Sequence, residues 1–191
     1  MEIRYRRTET PKGSVLLCHG YAEHSGRYLP LQEALLTAGY DIAFYDHYGH
    51  GTAPGPRSRV DVGALITDHL DARRIALAHS RTESLFLFGH SMGGLITAAS
   101  TILEPKKLRG TVLTGPALRP LPDVPASSAR ALLPLARLAP GLIITPPRQP
   151  GSPSALSRDP RVQETFDADP LCYTGGAPLL TATTMILQGD K

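Results

Sequence analysis

A short segment around Ser91 has the residue types of a nucleophile turn. Gly89-His90-Ser91-Met92-Gly93 follows the apolar run Leu85-Phe86-Leu87-Phe88 and precedes a helical pattern. A serine on a sharp strand-to-helix turn exposes its hydroxyl above the sheet edge, and the crowded turn leaves no room for side chains at the two glycines. The N-terminus of the following helix favours negative charge that develops beside the serine. The spacing therefore predicts that Ser91 is a nucleophile for acyl transfer.

The segment His19-Gly20-Tyr21 fits the second half of such a site. It directly follows the apolar run that ends at Cys18. Acyl transfer passes through a tetrahedral oxyanion, which needs one N–H donor after the nucleophile and one from the loop after an early strand. We expect the backbone N–H groups of Met92 and Tyr21 to be these donors. The alternative is that His19-Gly20 is only a tight turn.

Both segments belong to an alternation of short apolar runs and longer helical patterns between residue 13 and about residue 115. This alternation is typical of a parallel sheet with crossover helices. The predicted strands are Ser14–Cys18, Asp41–Tyr45, Leu85–Phe88 and Thr111–Thr114. The predicted helices are Leu29–Ala38, one that begins near Asp61, and Met92–Leu103.

The alternation ends near Pro116. Ten of the 18 prolines fall between residues 116 and 153, which excludes long uninterrupted helices and central strands there. Within this stretch Ala126–Ala139 is apolar on most sides, and it predicts either a short buried helix or a lid that exposes apolar surface to a lipid. A polar helix is predicted over Asp159–Asp167. Pro178–Gly189 is predicted as a helix that returns to the sheet, with a strand over Thr184–Leu187 as the alternative.

Composition excludes several classes of protein. The 191 residues suit one domain, and a formal net charge of +3 with scattered arginines is too weak for a nucleic-acid-binding surface. The hydrophobic fraction of 41% excludes a disordered chain. The N-terminus lacks the apolar segment typical of a secretory leader, and no apolar stretch is long enough to span a membrane, so we expect neither feature. The two cysteines are expected to be reduced and to make no disulfide framework. We expect a cytoplasmic protein.

Four motifs follow one another along the chain: Cys18-His19-Gly20-Tyr21-Ala22-Glu23-His24-Ser25-Gly26-Arg27-Tyr28, Asp46-His47-Tyr48-Gly49-His50-Gly51, Gly89-His90-Ser91-Met92-Gly93-Gly94, and Ser157-Arg158-Asp159-Pro160 with Asp169-Pro170-Leu171. In this order they resemble the monoacylglycerol lipase and lysophospholipase group of the α/β-hydrolase superfamily. The resemblance implies an α/β-hydrolase parallel sheet with helices on both faces. It also implies a core over residues 1–116, a proline-rich helical cap over residues 117–175, and a return helix over residues 176–191.

The same resemblance implies roles for individual residues. Ser91 becomes the nucleophile, with Tyr21 and Met92 as the oxyanion donors. Another three residues are expected near the glycerol end of the substrate: Glu23, Arg27 and His90. The implied substrates are monoacylglycerols, lysophospholipids and similar single-acyl esters, with no cofactor. Transient contact between the cap and a membrane surface is left open.

Phe166 departs from the group's pattern, in which a tyrosine often stands in the cap shortly before the D-P pair. Phe166 is either a packing residue or part of the substrate pocket. A phenylalanine in the pocket would weaken polar recognition of the alcohol and admit simple esters.

Several other histidines suggest different roles. Asp46, His47 and His50 could by their types hold a metal, but the resemblance makes them loop-shaping residues, so no metal site is expected. The three histidines His24, His69 and His79 are interpreted as surface or structural.

A serine mechanism needs a histidine that this sequence does not place after Ser91. In this fold the chain order is serine, acid, histidine, and all seven histidines precede Ser91. Of the later aspartates, four fall in the predicted cap and Asp190 lies on the last helix. If Thr184–Gly189 were the strand that bears the acid, the acid would, by resemblance to the family, fall at position 192. We therefore expect the aspartate and histidine of the triad, with the last strands and helices, beyond Lys191.

The lack of a histidine after Ser91 leaves several alternatives open. One interpretation places the missing triad residues on a separate C-terminal fragment of the same protein. Residues 1–191 alone are then expected to be inactive. A non-catalytic lipid-binding protein of the same fold, a serine aminopeptidase and a thioesterase stay open. Epoxide hydrolases and haloalkane dehalogenases are disfavoured, because their nucleophile is an aspartate.

Overall fold

The computed structural model describes residues 1–147 and 157–191, which include a five-stranded sheet with helices packed against it. The strands lie in the spatial order β1-β3-β2-β4-β5, and β2, β3, β4 and β5 run parallel to one another. The strands are β1 (Arg4–Arg6), β2 (Gly13–Cys18), β3 (Tyr40–Phe44), β4 (Leu85–His90) and β5 (Leu108–Thr114). The α-helices are α1 (Leu29–Thr37), α2 (Val62–Ala78), α3 (Met92–Leu103), α4 (Ala126–Leu138), α5 (Pro160–Ala168) and α6 (Leu179–Gly189), and a 3₁₀ turn covers Ser25–Tyr28.

The predicted elements are confirmed with shifts of a few residues at their ends, and the sheet has one further strand, β1, that the sequence did not predict. β1 runs antiparallel to β3, with Tyr5 opposite Ala43. Its sequence, Arg4-Tyr5-Arg6, has no apolar run to predict a strand. Short and charged strands are typical of sheet edges, where they discourage pairing with other chains.

The helices α2 and α3 pack on one face of the sheet. Leu16 and Leu87 of the sheet are fully buried with Ala72 and Ala76 of α2. Nearer the carboxyl ends of the strands, α2 and α3 meet in a second cluster that contains Cys18. Helix α1 packs beside β3 and joins neither cluster. This core fixes the carboxyl ends of β2 and β4, where the predicted site residues lie.

Helix α4 corrects the prediction about prolines. It continues for 13 residues with Pro134 inside it. Because proline has no N–H, the carbonyl that would otherwise accept a hydrogen bond at this position belongs to Arg130, an exposed residue. Two of the ten clustered prolines, Pro150 and Pro153, lie outside the described residues.

Helix α4 also excludes the interpretation of a buried helix. It packs on α6, and its buried residues are Ala129 and Ala136. The leucines of its other side are exposed, with Leu138 84% accessible. The neighbouring residues Leu142–Ile144 are exposed as well. The described part of the predicted cap therefore presents an apolar surface.

The helix predicted over Pro178–Gly189 is confirmed as α6, which packs on α4, α2 and α3, and the alternative strand over Thr184–Leu187 is wrong. The hydroxyl of Thr181 accepts the Val60 N–H at 2.9 Å and donates to the Ser58 carbonyl at 2.9 Å. Thr184 accepts the Val62 N–H in the same way. None of the helices in the two described ranges has the length and apolarity needed to cross a bilayer.

Candidate active site

Ser91 lies on a strained turn between β4 and α3. Its φ of 52° and ψ of −120° fall in a region that side chains seldom adopt. Its N–H donates to the Thr114 carbonyl at 3.0 Å, and its own carbonyl accepts the N–H of Ala117 and of Leu95. The surrounding backbone therefore holds the strained conformation that the glycine pattern predicts for a nucleophile.

The glycines beside Ser91 allow the loop after β2 to approach. A Cβ atom on Gly93 would lie 2.3 Å from the carbonyl oxygens of Cys18 and His19. A Cβ on Gly20 would lie 3.1 Å from the Ser91 Cβ atom. The N-terminus of α3, the loop after β2 and Ser91 thus meet at one point. This geometry places the predicted donors, the N–H groups of Tyr21 and Met92, on the two segments that border the serine.

The loop after β2 is held by Glu23. Its Oε1 atom accepts the Gly20 N–H at 2.6 Å and the Tyr28 hydroxyl at 2.5 Å. Its Oε2 atom lies 3.4 Å from Nε of Arg27. Burial and the neighbouring Glu23 carboxylate both raise the pKa of Tyr28, so its hydroxyl stays protonated and donates. Tyr28 ends the motif that begins at Cys18, but its position in the sequence alone predicts no role for it.

The residues predicted at the glycerol end lie in one neighbourhood. The Arg27 guanidinium carbon stands 5.0 Å from the centre of the Phe166 ring, and Phe166 is 8% exposed. The Tyr28 and His90 rings are 6.2 Å apart between centroids, and His90 Nδ1 pairs with the Thr114 hydroxyl. The burial of Phe166 agrees with a packing residue, and its contact with Arg27 brings α5 to the loop after β2.

Two hydrogen bonds join the predicted cap to this loop. His24 Nε2 pairs with Asp169 Oδ2 at 2.8 Å, and the Tyr173 N–H donates to the Ala22 carbonyl at 2.8 Å. Burial tends to raise the pKa of Asp169, but hydrogen bonds from His24 and from the Leu171 N–H outweigh it and lower this pKa. Sequence reasoning missed this pairing, although Asp169 lies in the quoted D-P-L motif.

His24, Asp169 and Cys172 also have potential metal-ligand atoms within 4.8 Å of one another. The Gly26 N–H donates to His24 Nδ1, so the ring proton is on Nε2 and points to Asp169. A metal on Nε2 would move that proton to Nδ1 and break the bond from Gly26. Burial raises the pKa of the Cys172 thiol to about 11, which keeps it protonated. The geometry therefore favours a hydrogen-bonded pair over a metal site.

Buried histidines lie beneath the loop after β2. His19, His47 and His50 are at most 2% exposed, and the His19 and His47 rings stand 4.3 Å apart. Burial is the largest cause that lowers the pKa of His47 and of His69 to about 3, and it also lowers the pKa values of His19 and His50. These imidazoles are neutral at pH 7, and those of His19, His47 and His50 pair with backbone groups of the loops.

Within residues 1–147 and 157–191, no histidine hydrogen-bonds the Ser91 hydroxyl. His90, its neighbour in sequence, pairs with Thr114, and His24 pairs with Asp169. The histidines beneath the loop after β2 are engaged there with backbone groups. Among the described residues, the site thus contains a strained serine and a donor-bearing loop, without a base that contacts the serine.

The parallel sheet, the strained serine between β4 and α3, and the loop after β2 define an α/β-hydrolase. Residues 9–191 match the family described as "Serine aminopeptidase, S33", and the chain belongs to this family. It is similar to the monoacylglycerol lipase of Mycolicibacterium smegmatis, with 34% identity over 182 residues that cover 95% of this chain and 64% of the relative. The monoglyceride lipase of Homo sapiens is 31% identical over 190 residues, which cover 95% of this chain and 61% of the relative.

Solved structures agree with the fold. The crystal structure of the Paleococcus ferrophilus monoacylglycerol lipase matches with a TM-score of 0.80 and 32% identity, covering 100% of this chain and 71% of that one. A soluble variant of the Saccharomyces cerevisiae monoglyceride lipase matches in fold, with a TM-score of 0.72 and 20% identity, over 99% of this chain and 64% of that one. The chain thus spans less than two thirds of the length of the two curated relatives.

Proposed function

We propose that the whole protein is a serine hydrolase of single-acyl carboxylic esters, with Ser91 as its nucleophile. The observation that carries the proposal is the strained φ of 52° at Ser91, held where the Gly20 loop reaches the serine. In this mechanism the Ser91 hydroxyl attacks the ester carbonyl, and the N–H groups of Tyr21 and Met92 stabilise the resulting oxyanion. An aspartate and a histidine from outside these 191 residues complete the triad.

Monoacylglycerols are the substrates we propose first, followed by lysophospholipids. The names of the two curated relatives and the exposed apolar side of α4 both support a lipid ester. We also propose that this side of α4, with Leu142–Ile144, contacts the membrane surface transiently during substrate uptake.

A serine aminopeptidase is the second candidate, because the family description names that activity. An aminopeptidase needs an anionic group to bind the free α-ammonium group of its substrate. Glu23 is the carboxylate at the loop, and it is already paired with Gly20, Tyr28 and Arg27. This pairing favours the esterase. Comparing monoacylglycerols, lysophospholipids and acyl thioesters with aminoacyl anilides separates these activities directly.

The test is covalent labelling of the full-length protein by a fluorophosphonate probe. We expect one label on Ser91 and none in Ser91→Ala, while Ser127→Ala on the exposed surface of α4 is labelled normally. A folded full-length protein that takes up no label would overturn the hydrolase in favour of a lipid-binding protein of this fold.

Residues 1–191 on their own are expected to be inactive. Loss of a triad member lowers turnover by about 10⁴-fold or more. Turnover of a short-chain ester by this fragment at a rate near that of the full-length protein would contradict the proposed origin of the histidine. The complementary test is to add the C-terminal fragment in trans and measure whether ester hydrolysis returns.

A further inference from the structure

Gly20 is bound through both of its backbone polar groups. Its N–H donates to Glu23 Oε1 at 2.6 Å, and its carbonyl oxygen lies 2.8 Å from Nδ1 of the preceding residue, His19. Gly20 is also the residue whose Cβ, if present, would lie 3.1 Å from the Ser91 Cβ. The two groups that hold Gly20 therefore act at the point where the loop meets the nucleophile.

The tautomer of His19 follows from its partners. The backbone nitrogen of His47 lies 3.0 Å from His19 Nε2. A backbone N–H can only donate, so His19 Nε2 accepts this hydrogen bond and carries no proton. The ring proton is then on Nδ1, facing a carbonyl that can only accept. In return, His47 Nε2 donates to the His19 carbonyl at 3.0 Å. His19 is fully buried, so water does not compete for these bonds.

The Gly20 carbonyl and the Tyr21 N–H belong to the same planar peptide unit. In a trans peptide these groups point in opposite directions, so a bond that fixes the carbonyl also fixes the direction of the N–H. A hydrogen bond to the carbonyl also polarises the unit and strengthens the N–H as a donor. We propose that His19 and Glu23 are positioning residues that hold Gly20 so that the Tyr21 N–H faces the oxyanion formed at Ser91.

The proposal rests on the hydrolase function proposed above and deepens it. It gives Glu23 a role in the loop itself, in addition to the one expected at the glycerol end of the substrate. The side chain is 12% exposed, and its two oxygens already face the Gly20 N–H, the Tyr28 hydroxyl and Arg27. Oε1 accepts two hydrogen bonds, whereas Oε2, among the described residues, contacts only Arg27 and can accept a further hydrogen bond.

The test compares two substitutions of His19 in the full-length protein. The amide nitrogen of His19→Asn can occupy the position of Nδ1 and donate to Gly20, whereas His19→Gln places its amide near Nε2 and loses this donor. Removing one oxyanion donor lowers kcat by about 10²–10³-fold. If the Tyr21 N–H no longer faces the oxyanion, we expect His19→Gln to lower kcat by about 10–100-fold. We expect His19→Asn to lower kcat by about 3-fold, and KM to stay within about 2-fold of the unaltered protein in both variants.

Glu23→Gln tests the other bond, and Glu33→Gln on the exposed surface of α1 is its matched control. We expect a loss in kcat of about 10-fold for the first and no change for the second. If His19→Gln does not fold, this pair still tests the proposal. The concentration of active sites is measured by fluorophosphonate titration, and kcat is calculated per active site, so that partial unfolding does not lower the kcat obtained.

A transition-state analogue gives a readout that a purely structural role would not change. A trifluoromethyl ketone adds to Ser91 to form an oxyanion, so its affinity should fall by the same factor as kcat in His19→Gln and Glu23→Gln. Equal kcat and equal affinity in folded variants, per titrated site, would overturn the positioning role while leaving the hydrolase intact. Absence of Ser91 labelling in the unaltered protein would instead overturn the hydrolase function.

Discussion

His24 Nε2 and Asp169 Oδ2 are 2.8 Å apart although 145 positions separate the residues in sequence. His24 immediately follows Glu23, and Asp169 follows the last residue of α5. The pair therefore links a cap residue to the loop that borders Ser91. The backbone bond from Tyr173 to Ala22 lies beside it and strengthens the same link.

Replacing Asp169 by Asn should weaken this link. The variant loses a partly screened charged hydrogen bond, and we expect the free energy of unfolding to fall by about 1 kcal/mol at pH 7. The folded-state pKa of Asp169 is lowered, so its stabilising contribution is present above the unfolded value of about 3.9 and is lost as pH falls through the folded value. Urea unfolding measures the change, with Asp123→Asn in an exposed loop as the control. Equal losses in both variants would contradict this role of Asp169.

Acid should destabilise the fold through the buried histidines. The pKa values of His47 and His69 are lowered to about 3, while an unfolded histidine titrates near pH 6.5, so the unfolded chain binds more protons between these values. Their contribution is complete above pH 6.5 and is lost as pH falls towards 3, at up to about 1.4 kcal/mol per pH unit for each histidine. Asp41 and Asp46 also have lowered pKa values and add to the loss only below about pH 3.9.

The measurement is urea unfolding at several pH values from 7.5 to 4. His69→Gln should reduce the slope by about one proton. A free energy of unfolding that does not change between pH 6.5 and 4 would rule out neutral burial of these histidines.

Gly93→Ala should be strongly destabilising although alanine favours helices. The new Cβ would stand 2.3 Å from two backbone carbonyl oxygens, which cannot move without displacing the end of β2. We expect a loss of about 3 kcal/mol or more. Gly110→Ala is the matched control, because its Cβ would lie 3.4 Å from the Phe86 ring, in ordinary contact. Thermal unfolding of both variants tests this, and a Gly93→Ala protein as stable as Gly110→Ala would contradict the close approach.

Polar substitution on α4 should weaken binding to lipid vesicles. Leu135 is 46% and Leu138 84% exposed on its apolar side. Replacing both by serine should lower the partition coefficient into phosphatidylcholine–phosphatidylglycerol vesicles by about 10-fold or more. Ile102→Ser on α3, where the side chain is 79% exposed, is the control in cosedimentation. Equal loss in the control would mean that the cap has no special part in membrane contact.

The sequence by itself determined the elements and the nucleophile turn. β4, Ser91 and α3 adjoin in sequence, so their glycines and apolar spacing suffice to predict them. The edge strand β1 was missed. Its three residues include two arginines and are too few to show a hydrophobic pattern, and they form a strand by pairing with the edge of β3.

Only the tertiary structure decided which side of α4 is exposed. It also decided that Asp169 hydrogen-bonds His24, and that Glu23 and His19 hydrogen-bond the backbone of Gly20. The physical reason is the separation in sequence between the residues that interact. Helical and strand periods, like turns, depend on residues within a few positions of one another, whereas the partner of a buried carboxylate or imidazole depends on how distant segments pack. A sequence pattern can show that Glu23 and Asp169 lie in motifs. Which groups donate hydrogen bonds to their carboxylates depends on how the loop, the sheet and the predicted cap pack together.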